Sequence, residues 1–390
     1  MISMPVVGLE TGVRYDAKEL RRAVEKVLEP LGGIAAFVRE GDRVLIKPNV
    51  VAPAGPDSGI CTHPLFVRAV CDVVAERRPA RIRVGDMPGY NYLGEGRRCA
   101  SESGLAGALA GGPARLVPFE GTHRRISSEE FRVFRHIDVT GEVLDAHVVI
   151  SLPTPKTHRL TRYSGAIKNA FGCVAYGTRE RIHKMGDYRS FCDGLVDVFA
   201  YVRPALTIAD MIRVQEGDGP CAGSPLEVGV VLASADGVAL DAVGQFLLGM
   251  EAEEVLTTTL AGARGLGEGD IDRVEVAGPR DWRGARVRAV RPGRFHAFLQ
   301  FGMPTPILKL LAGLVRARPE FRPGNCDGCA LCLERCPGHA LSMRGARIRR
   351  DRKACLLCFG CVAVCPRGAA ATRLDWVSAW NKRLAERFLH

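Results

Sequence analysis

Eight of the fourteen cysteines in this 390-residue chain fall in one short C-terminal stretch and repeat a single spacing. Cys326, Cys329, Cys332 and Cys336 step as C-x-x-C-x-x-C-x-x-x-C before Pro337; Cys355, Cys358, Cys361 and Cys365 repeat the pattern before Pro366. Two residues between thiolates let a tight loop wrap the corner of an iron–sulfide cube, with backbone amides turned toward the sulfides. Proline then removes a donor and fixes φ where the chain must turn away. In such runs three thiolates hold one 4Fe–4S cluster and the fourth crosses to the other cluster. The spacing therefore predicts Cys326, Cys329, Cys332 and Cys365 around one cluster, and Cys355, Cys358, Cys361 and Cys336 around a second. Structural zinc is the bland alternative, but it usually draws on two C-x-x-C pairs separated by a longer loop. Disulfides fit less well, because no secretory signal opens the chain and this pattern in a cytosolic protein points to metal.

A second set of polar residues follows apolar runs that read as buried strands, at 44–46, 81–84 and 147–152. After them come Lys47-Pro48-Asn49, then Gly85-Asp86-Met87-Pro88-Gly89, then a long polar segment over 151–169. In open α/β sheets ligands bind outside the carboxyl ends of the strands, so these segments are expected to converge on one crevice. Lys47, Lys156, His158, Arg159, Arg162 and Lys168 would make it cationic. The head of a helix near Ser164-Gly165 would add amide donors. Such a crevice suits a carboxylate, a phosphate or an enolate forming during reaction. Lys47, Lys156 and Lys168 are the expected substrate holders, and His158 or Asp86 the proton source. Each has a plainer reading: Lys47 at a strand edge, Asp86 as a turn former, His158 on the surface, Lys168 solvated, and His63 only capping a helix. Cys61, Cys71, Cys99, Cys173, Cys192 and Cys221 have no ligand spacing and read as buried small apolar residues. Neither a Walker-type phosphate loop nor a convincing dinucleotide fingerprint is present.

The elements that must position these residues alternate in type. Thr62 with Pro64 starts a helix whose Leu65, Ala69, Val70, Val73 and Val74 recur at helical spacing. Helical patterns also fall at 94–110, 166–174, 195–201 and 238–248, and strands at 205–208, 228–232 and 274–277. This rhythm predicts an α/β fold with a large, mostly parallel sheet over 1–291. An apolar stretch at 295–315, broken by Pro304 and Pro306, reads as part of an amphipathic linker over 292–321 rather than a membrane-surface anchor. A small α+β unit over 322–374 would hold the cysteines around a short hairpin at 341–349, ahead of a helical tail over 375–390. The formal charge is +11, which two clusters would lower to about +7 because each core with four thiolates carries −2. The surplus is local: 271–322 holds eleven Lys/Arg against four Asp/Glu. No aromatic interleaving of a nucleic-acid-binding kind accompanies it, so it reads as a solvated arginine-rich surface or a dock for an acidic electron donor. No run is long enough to span a bilayer, and the cytoplasm is the expected location.

The duplicated cysteine module resembles the two-cluster bacterial ferredoxin domain. The larger part resembles the family catalogued as domain of unknown function 362, often fused to such a module. The segments carrying that resemblance are Val44-Leu-Ile-Lys-Pro-Asn-Val-Val51, Thr62-His-Pro-Leu-Phe-Val-Arg-Ala-Val70, Val84-Gly-Asp-Met-Pro-Gly89, the 151–174 segment, Ala209-Asp210 with Glu216-Gly-Asp-Gly-Pro220, and Ser234-Ala-Asp-Gly237 with Asp241. One departure is local: Asp210-Met211-Ile212 stands where the family usually reads Asp-Gly-Ile. The resemblance implies an iron–sulfur protein and a reductase, without a substrate. The residues suggest a reductase in which two 4Fe–4S clusters pass electrons from a soluble ferredoxin or flavodoxin to a small anionic substrate. The alternative is a non-catalytic, ferredoxin-like electron carrier or docking protein.

Overall fold

The computed structural model describes residues 4–293, 317–345, 347–375, 379, 380, 382 and 383. Among these, eight strands form one sheet in the spatial order Glu275–Ala277, Val6–Glu10, Ala222–Ser234, Leu206–Asp218, Val148–Leu152, Arg43–Pro48, Arg81–Val84, Ala114–Leu116. All neighbouring pairs are parallel except the two made by Ala222–Ser234, which runs against both of its neighbours. The fold is therefore α/β with a mostly parallel sheet. Its central strands send their carboxyl ends to one edge, where ligands bind in such sheets.

Strand side chains alternate between faces, and the core divides accordingly. Val44, Ile46, Val148 and Ile150 pack with the helices Ala17–Leu28 and Pro64–Ala75 on one face. Leu45 and Val149 pack with Tyr188–Val202 and Leu256–Ala263 on the other. Near the sheet's other margin, Gly237–Leu247 covers Val7, Leu9, Met211 and Leu232. Helix starts follow local chemistry. The Asp16 carboxylate accepts the Lys18 and Glu19 amides, and His63 Nδ1 accepts the Leu65 amide with Pro64 in the first turn. Capping is thus what His63 does with its ring.

Several elements differ from the sequence expectation. The expected strands at 205–208 and 228–232 are the ends of a long antiparallel hairpin, Leu206–Asp218 with Ala222–Ser234. Its turn at Gly219-Pro220 was not read as one. Asp210 and Met211 accordingly lie within a strand, and Met211 is buried in the core. The expected helix at 94–110 splits into Gly96–Glu102 and Leu105–Leu109, because Gly104 takes φ 78°, a conformation glycine adopts freely.

The cysteine-rich portion is built from the antiparallel pair Ala317–Phe321 and Ala370–Leu374, the hairpin Leu341–Arg344 with Arg347–Arg350, and two one-turn helices, Leu331–Glu334 and Gly360–Ala363. Ala317–Phe321 falls inside the expected linker yet pairs as part of this unit, so the unit begins before Arg322. Residues 294–316, the expected apolar linker, and most of the expected helical tail lie outside the described residues. The duplication extends to the backbone. Positive φ recurs at matched places after the cysteines: Gly328 and Leu357, Ala330 and Phe359, His339 and Gly368.

Candidate functional site

At the sheet's carboxyl edge, Lys47 leaves the end of Arg43–Pro48, and Asp86 follows Arg81–Val84. Lys47 is 1% exposed. Its Nζ donates to Asp86 Oδ1 at 2.8 Å, Asn169 Oδ1 at 2.9 Å and the Pro48 carbonyl at 2.9 Å. All three ammonium protons are therefore engaged. Asp86 is equally committed, accepting the Val50 amide at 2.7 Å and the Met87 amide at 2.8 Å. Asn169 returns its amide to the Lys47 carbonyl and Ser151 Oγ. Gly172 closes over the pair: a Cβ there would meet Asp86 Oδ1 at 2.0 Å and Lys47 Nζ at 2.6 Å. Lys47, Asp86 and Asn169 thus lock three segments together.

Lys156 and His158 sit on the short strand Lys156–His158, paired with Arg162–Ser164. Lys156 is buried and donates to Asn49 Oδ1 at 2.8 Å and to the Ile60 carbonyl; burial lowers its pKa to about 8. His158 Nδ1 accepts the Leu160 and Thr161 amides at 3.1 and 3.2 Å. Burial, then the Lys168 charge, hold its imidazolium well below the ordinary histidine range. That corrects the expected proton donor: His158 is a neutral ring whose Nε2 carries the hydrogen.

Lys168 differs from the other two lysines. It is half-buried on the one-turn helix Ala166–Asn169. Among the described residues its ammonium meets no hydrogen-bond acceptor and no carboxylate, only the Phe171 ring at 6.0 Å. Burial, then Arg179, lower its pKa to about 8. Lys156 and Lys47 add to the positive field around it. This is an uncompensated cation, suited to receive an anion. The same helix head does not serve a ligand as expected, because Asp241 already accepts the Ala166 amide at 2.6 Å and the Ile167 amide at 3.0 Å.

Two residues of the site, Arg179 and Tyr15, escaped the sequence reading. Arg179, buried on Tyr176–His183, donates to the carbonyls of Met87, Pro88 and Val174 and lies 5.5 Å from the Phe171 ring. It fixes the turn that follows Asp86. Tyr15 donates to Asp210 Oδ1 at 2.9 Å and stacks on His63 at 3.7 Å. Asp210, whose other oxygen takes the His63 amide, is raised to about 6 by burial. No spacing marked Arg179 or Tyr15, since their partners are distant backbone atoms and side chains. Arg159 and Arg162 are half-buried. Cys61, Cys71, Cys99, Cys173 and Cys192 are buried, and Cys221 is partly so.

The eight C-terminal cysteines surround two hollows. One is lined by Cys326, Cys329, Cys332 and Cys365 together with Met343 and Ile348. The other is lined by Cys336, Cys355, Cys358 and Cys361 together with Leu341 and Phe359. Among the described residues no three His, Cys, Asp or Glu side chains are placed to hold a lone metal ion; the sulfurs ring a space instead. Leu357, Ala330, Phe359 and His339 hold positive φ without being glycine. Such conformations cost about 1 kcal/mol or more each and persist at functional sites. In the runs they wrap the chain around each hollow, and the Ala340 and Ala370 amides point at Cys336 and Cys365 sulfur, at 3.3 and 3.5 Å. The donor set and its cradle fit iron–sulfur clusters.

The second hollow abuts the sheet portion. The Gly121 amide is in hydrogen-bonding reach of Cys358 sulfur, and a Cβ on Gly360 would fall 2.3 Å from Gly121 Cα. Phe359 meets Tyr176 edge-on at 6.0 Å, and Tyr176 meets Tyr90 at 5.3 Å. Leu93 and Ala317 complete this apolar contact, and Thr372 Oγ1 donates to the Leu93 carbonyl. Tyr90 lies four residues after Asp86, so the second cysteine set is joined to the Lys47–Asp86 edge by a short chain of contacts.

Residues 44–245 match the family described as Domain of unknown function (DUF362), and residues 318–366 match a 4Fe-4S dicluster domain. A thylakoid-associated protein of Synechocystis sp. is 36% identical over 239 residues, covering 61% of this chain and 72% of that protein. The lactate racemase apoprotein of Thermoanaerobacterium thermosaccharolyticum overlaps with a TM-score of 0.38 at 11% identity, over 63% of this chain and 57% of that one. A Thermotoga maritima protein gives 0.34 at 10% identity, over 57% and 56%. The chain spans less than two thirds of either solved structure.

Proposed function

The chain belongs to the DUF362 family and ends in a 4Fe-4S dicluster domain, and we propose that this iron–sulfur electron-transfer protein is a reductase of a small anionic organic substrate. Cys326, Cys329, Cys332 and Cys365 would hold one 4Fe–4S cluster, and Cys355, Cys358, Cys361 and Cys336 the other. When bound, the clusters supply electrons singly, and two of them complete a two-electron reduction. Lys168 receives the substrate's anionic group, with Lys156 reinforcing the field. The Lys168 ammonium, lowered to about 8, is also the better proton source, since Asp86 is fully engaged and His158 is neutral. Lys47 and Asp86 brace the edge. The observation that carries this reading is the contact of Gly121 and Tyr176 with the second cysteine set, Tyr176 standing on the same helix as Arg179, whose charge acts on Lys168.

A soluble ferredoxin or flavodoxin would dock at the first set, whose Cys329 is exposed and which lies beside Arg322 and Arg367. The proposed division is a sheet domain to about residue 291, a linker, the cluster domain and a C-terminal tail. The proposed location is the cytoplasm. No helix among the described residues is long and apolar enough to cross a membrane, and cell fractionation would show whether this chain shares its relative's thylakoid-type association. Anaerobic reconstitution should give about eight irons per chain. The dithionite-reduced protein should then be reoxidised stoichiometrically by an unsaturated or oxidised organic acid; failure across a broad panel of acids would remove the reductase reading.

The internal bonding of Lys47, Lys156 and His158 favours one rival, a non-catalytic electron carrier or docking protein. That rival requires a stoichiometric redox partner in pull-downs and no acid that reoxidises the clusters.

A further inference from the structure

The hairpin Leu341–Arg344 with Arg347–Arg350 has two faces with different surroundings. Exposure alternates along both strands, as strand side chains alternate in direction. The inner face supplies Met343 and Ile348 to the first hollow and Leu341 and Arg350 to the second. Ser342, Arg344, Arg347 and Arg349 form the outer face, all exposed, one strand layer away from both cysteine sets.

That outer face carries a cost which packing does not explain. The register sets Arg344 directly opposite Arg347, with Arg349 on the same face two residues further on. Like charges facing each other across strands destabilise a sheet. Arg352 and Lys353, also exposed, continue the run toward Cys355, so residues 341–353 hold six Lys/Arg against Asp351 alone. Asp351 is turned to the amides of Lys353 and Ala354. Asp327 and Glu320 of the same unit pair with Arg367 and Arg373 instead. Among the described residues Arg344, Arg347 and Arg349 meet no carboxylate. Offsetting the negative charge of bound clusters does not require them, because Arg350 lines the second hollow while these three point away from both.

We propose that this arginine face is the docking surface for the electron donor, and that the donor is a small redox protein with an acidic surface. Complementary charge speeds encounter by about 10- to 1,000-fold at low ionic strength and sets orientation more than final affinity, which suits a partner that must arrive, deliver an electron and leave. The Arg344–Arg347 end stands over Met343 and Ile348 of the first hollow, the set at which the donor enters. An anionic membrane would meet the same charges but has no use for their placement over the cysteine sets. The proposal rests on the electron-transfer reading and is independent of which acid, if any, is reduced in the crevice.

The test uses the full chain, reconstituted anaerobically, and stopped-flow mixing with a fully reduced, strongly acidic flavodoxin, whose semiquinone band reports each electron passed on. The second-order rate constant should fall at least tenfold as salt rises from low to physiological ionic strength. The double variant Arg347→Glu with Arg349→Glu should lower it at least tenfold at low salt and remove most of the salt dependence. Arg347→Glu sets a carboxylate opposite Arg344, which should steady the hairpin, and unchanged iron content with full reduction by excess dithionite checks that the variant is intact. Co-sedimentation with phosphatidylglycerol vesicles runs in parallel. Three results overturn the proposal: a transfer rate that the double variant leaves within twofold, no transfer at all to wild-type protein that dithionite reduces fully, or vesicle binding that the variant abolishes while its transfer rate stays unchanged. Failure of dithionite to reduce the iron-loaded chain would remove the electron-transfer reading itself, and this proposal with it.

Discussion

Lys47 and Lys168 show how two lysines of one polar edge take opposite parts. Lys47 has three acceptors and a carboxylate, so its charge is spent on the fold. Removing one partner of a buried ion pair strands the other, at a cost of about 3–5 kcal/mol. Lys47→Ala should therefore lower unfolding free energy by about that amount in urea titrations. Lys168 has no acceptor among the described residues, and Lys168→Gln should leave stability nearly unchanged while weakening anion binding at the crevice about tenfold or more. The pH dependence follows from the same geometry. Burial disfavours the charged form and brings Lys168 to about 8, whereas a bound anion stabilises that form. Crevice affinity should thus be full near pH 7 and fall as pH rises through about 8. An ordinary exposed lysine would keep its charge beyond pH 10. Affinity that is flat between pH 7 and 9.5 would exclude Lys168 as the anion's anchor.

At the scale of elements, glycines decide how closely pieces approach. Gly360 opens the one-turn helix beside Cys361, and its missing side chain admits Gly121, backbone against backbone. A methyl group there would fall 2.3 Å from Gly121 Cα, and backbone cannot step aside as a flexible side chain does. Gly360→Ala should cost about 1–3 kcal/mol by overpacking. It should also expose the Tyr176–Phe359 contact to proteolysis while the cysteine-rich unit keeps its iron; equal protection in both proteins would show that the contact does not depend on this approach. Much of the frame was legible beforehand because its signals are local. The strand Arg81–Val84 and the helix after Thr62 and Pro64 follow from apolar runs bounded by turn and cap residues. The long hairpin Leu206–Asp218 with Ala222–Ser234 was not, since its outer half is polar and partly exposed and lacks an apolar run. The polar edge was legible as a set of positions but not as a network. The commitment of Lys47 to Asp86, or of Asp241 to the Ala166 amide, joins residues far apart in sequence. His158 was misread for the same reason: nothing local signals that its Nδ1 is taken and its charged form suppressed.

Across the whole molecule the two cysteine sets are not equivalent, although their spacing is the same. Cys358 and Cys361 are buried and their hollow adjoins Gly121, Gly177 and Tyr176, while Cys329 of the first set is exposed. If the chain is the reductase proposed above, this asymmetry implies a direction for its electrons: entry at the exposed set, exit at the set that touches the sheet portion. The crossing of the fourth cysteines makes the prediction specific, because Cys365 lies in the second run yet lines the first hollow, and Cys336 the converse. Cys365→Ala should therefore remove about four of eight irons from the first hollow, leaving an EPR signal like that of Cys329→Ala. Cys336→Ala should instead match Cys355→Ala. With a protein donor, both pairs should lose acid reduction. With dithionite, small enough to reach either set, the first pair should keep most of its turnover and the second should lose it. If both pairs behave alike with dithionite, the order of transfer inferred from the contact with Gly121 is wrong, and electrons reach the sheet portion by another route.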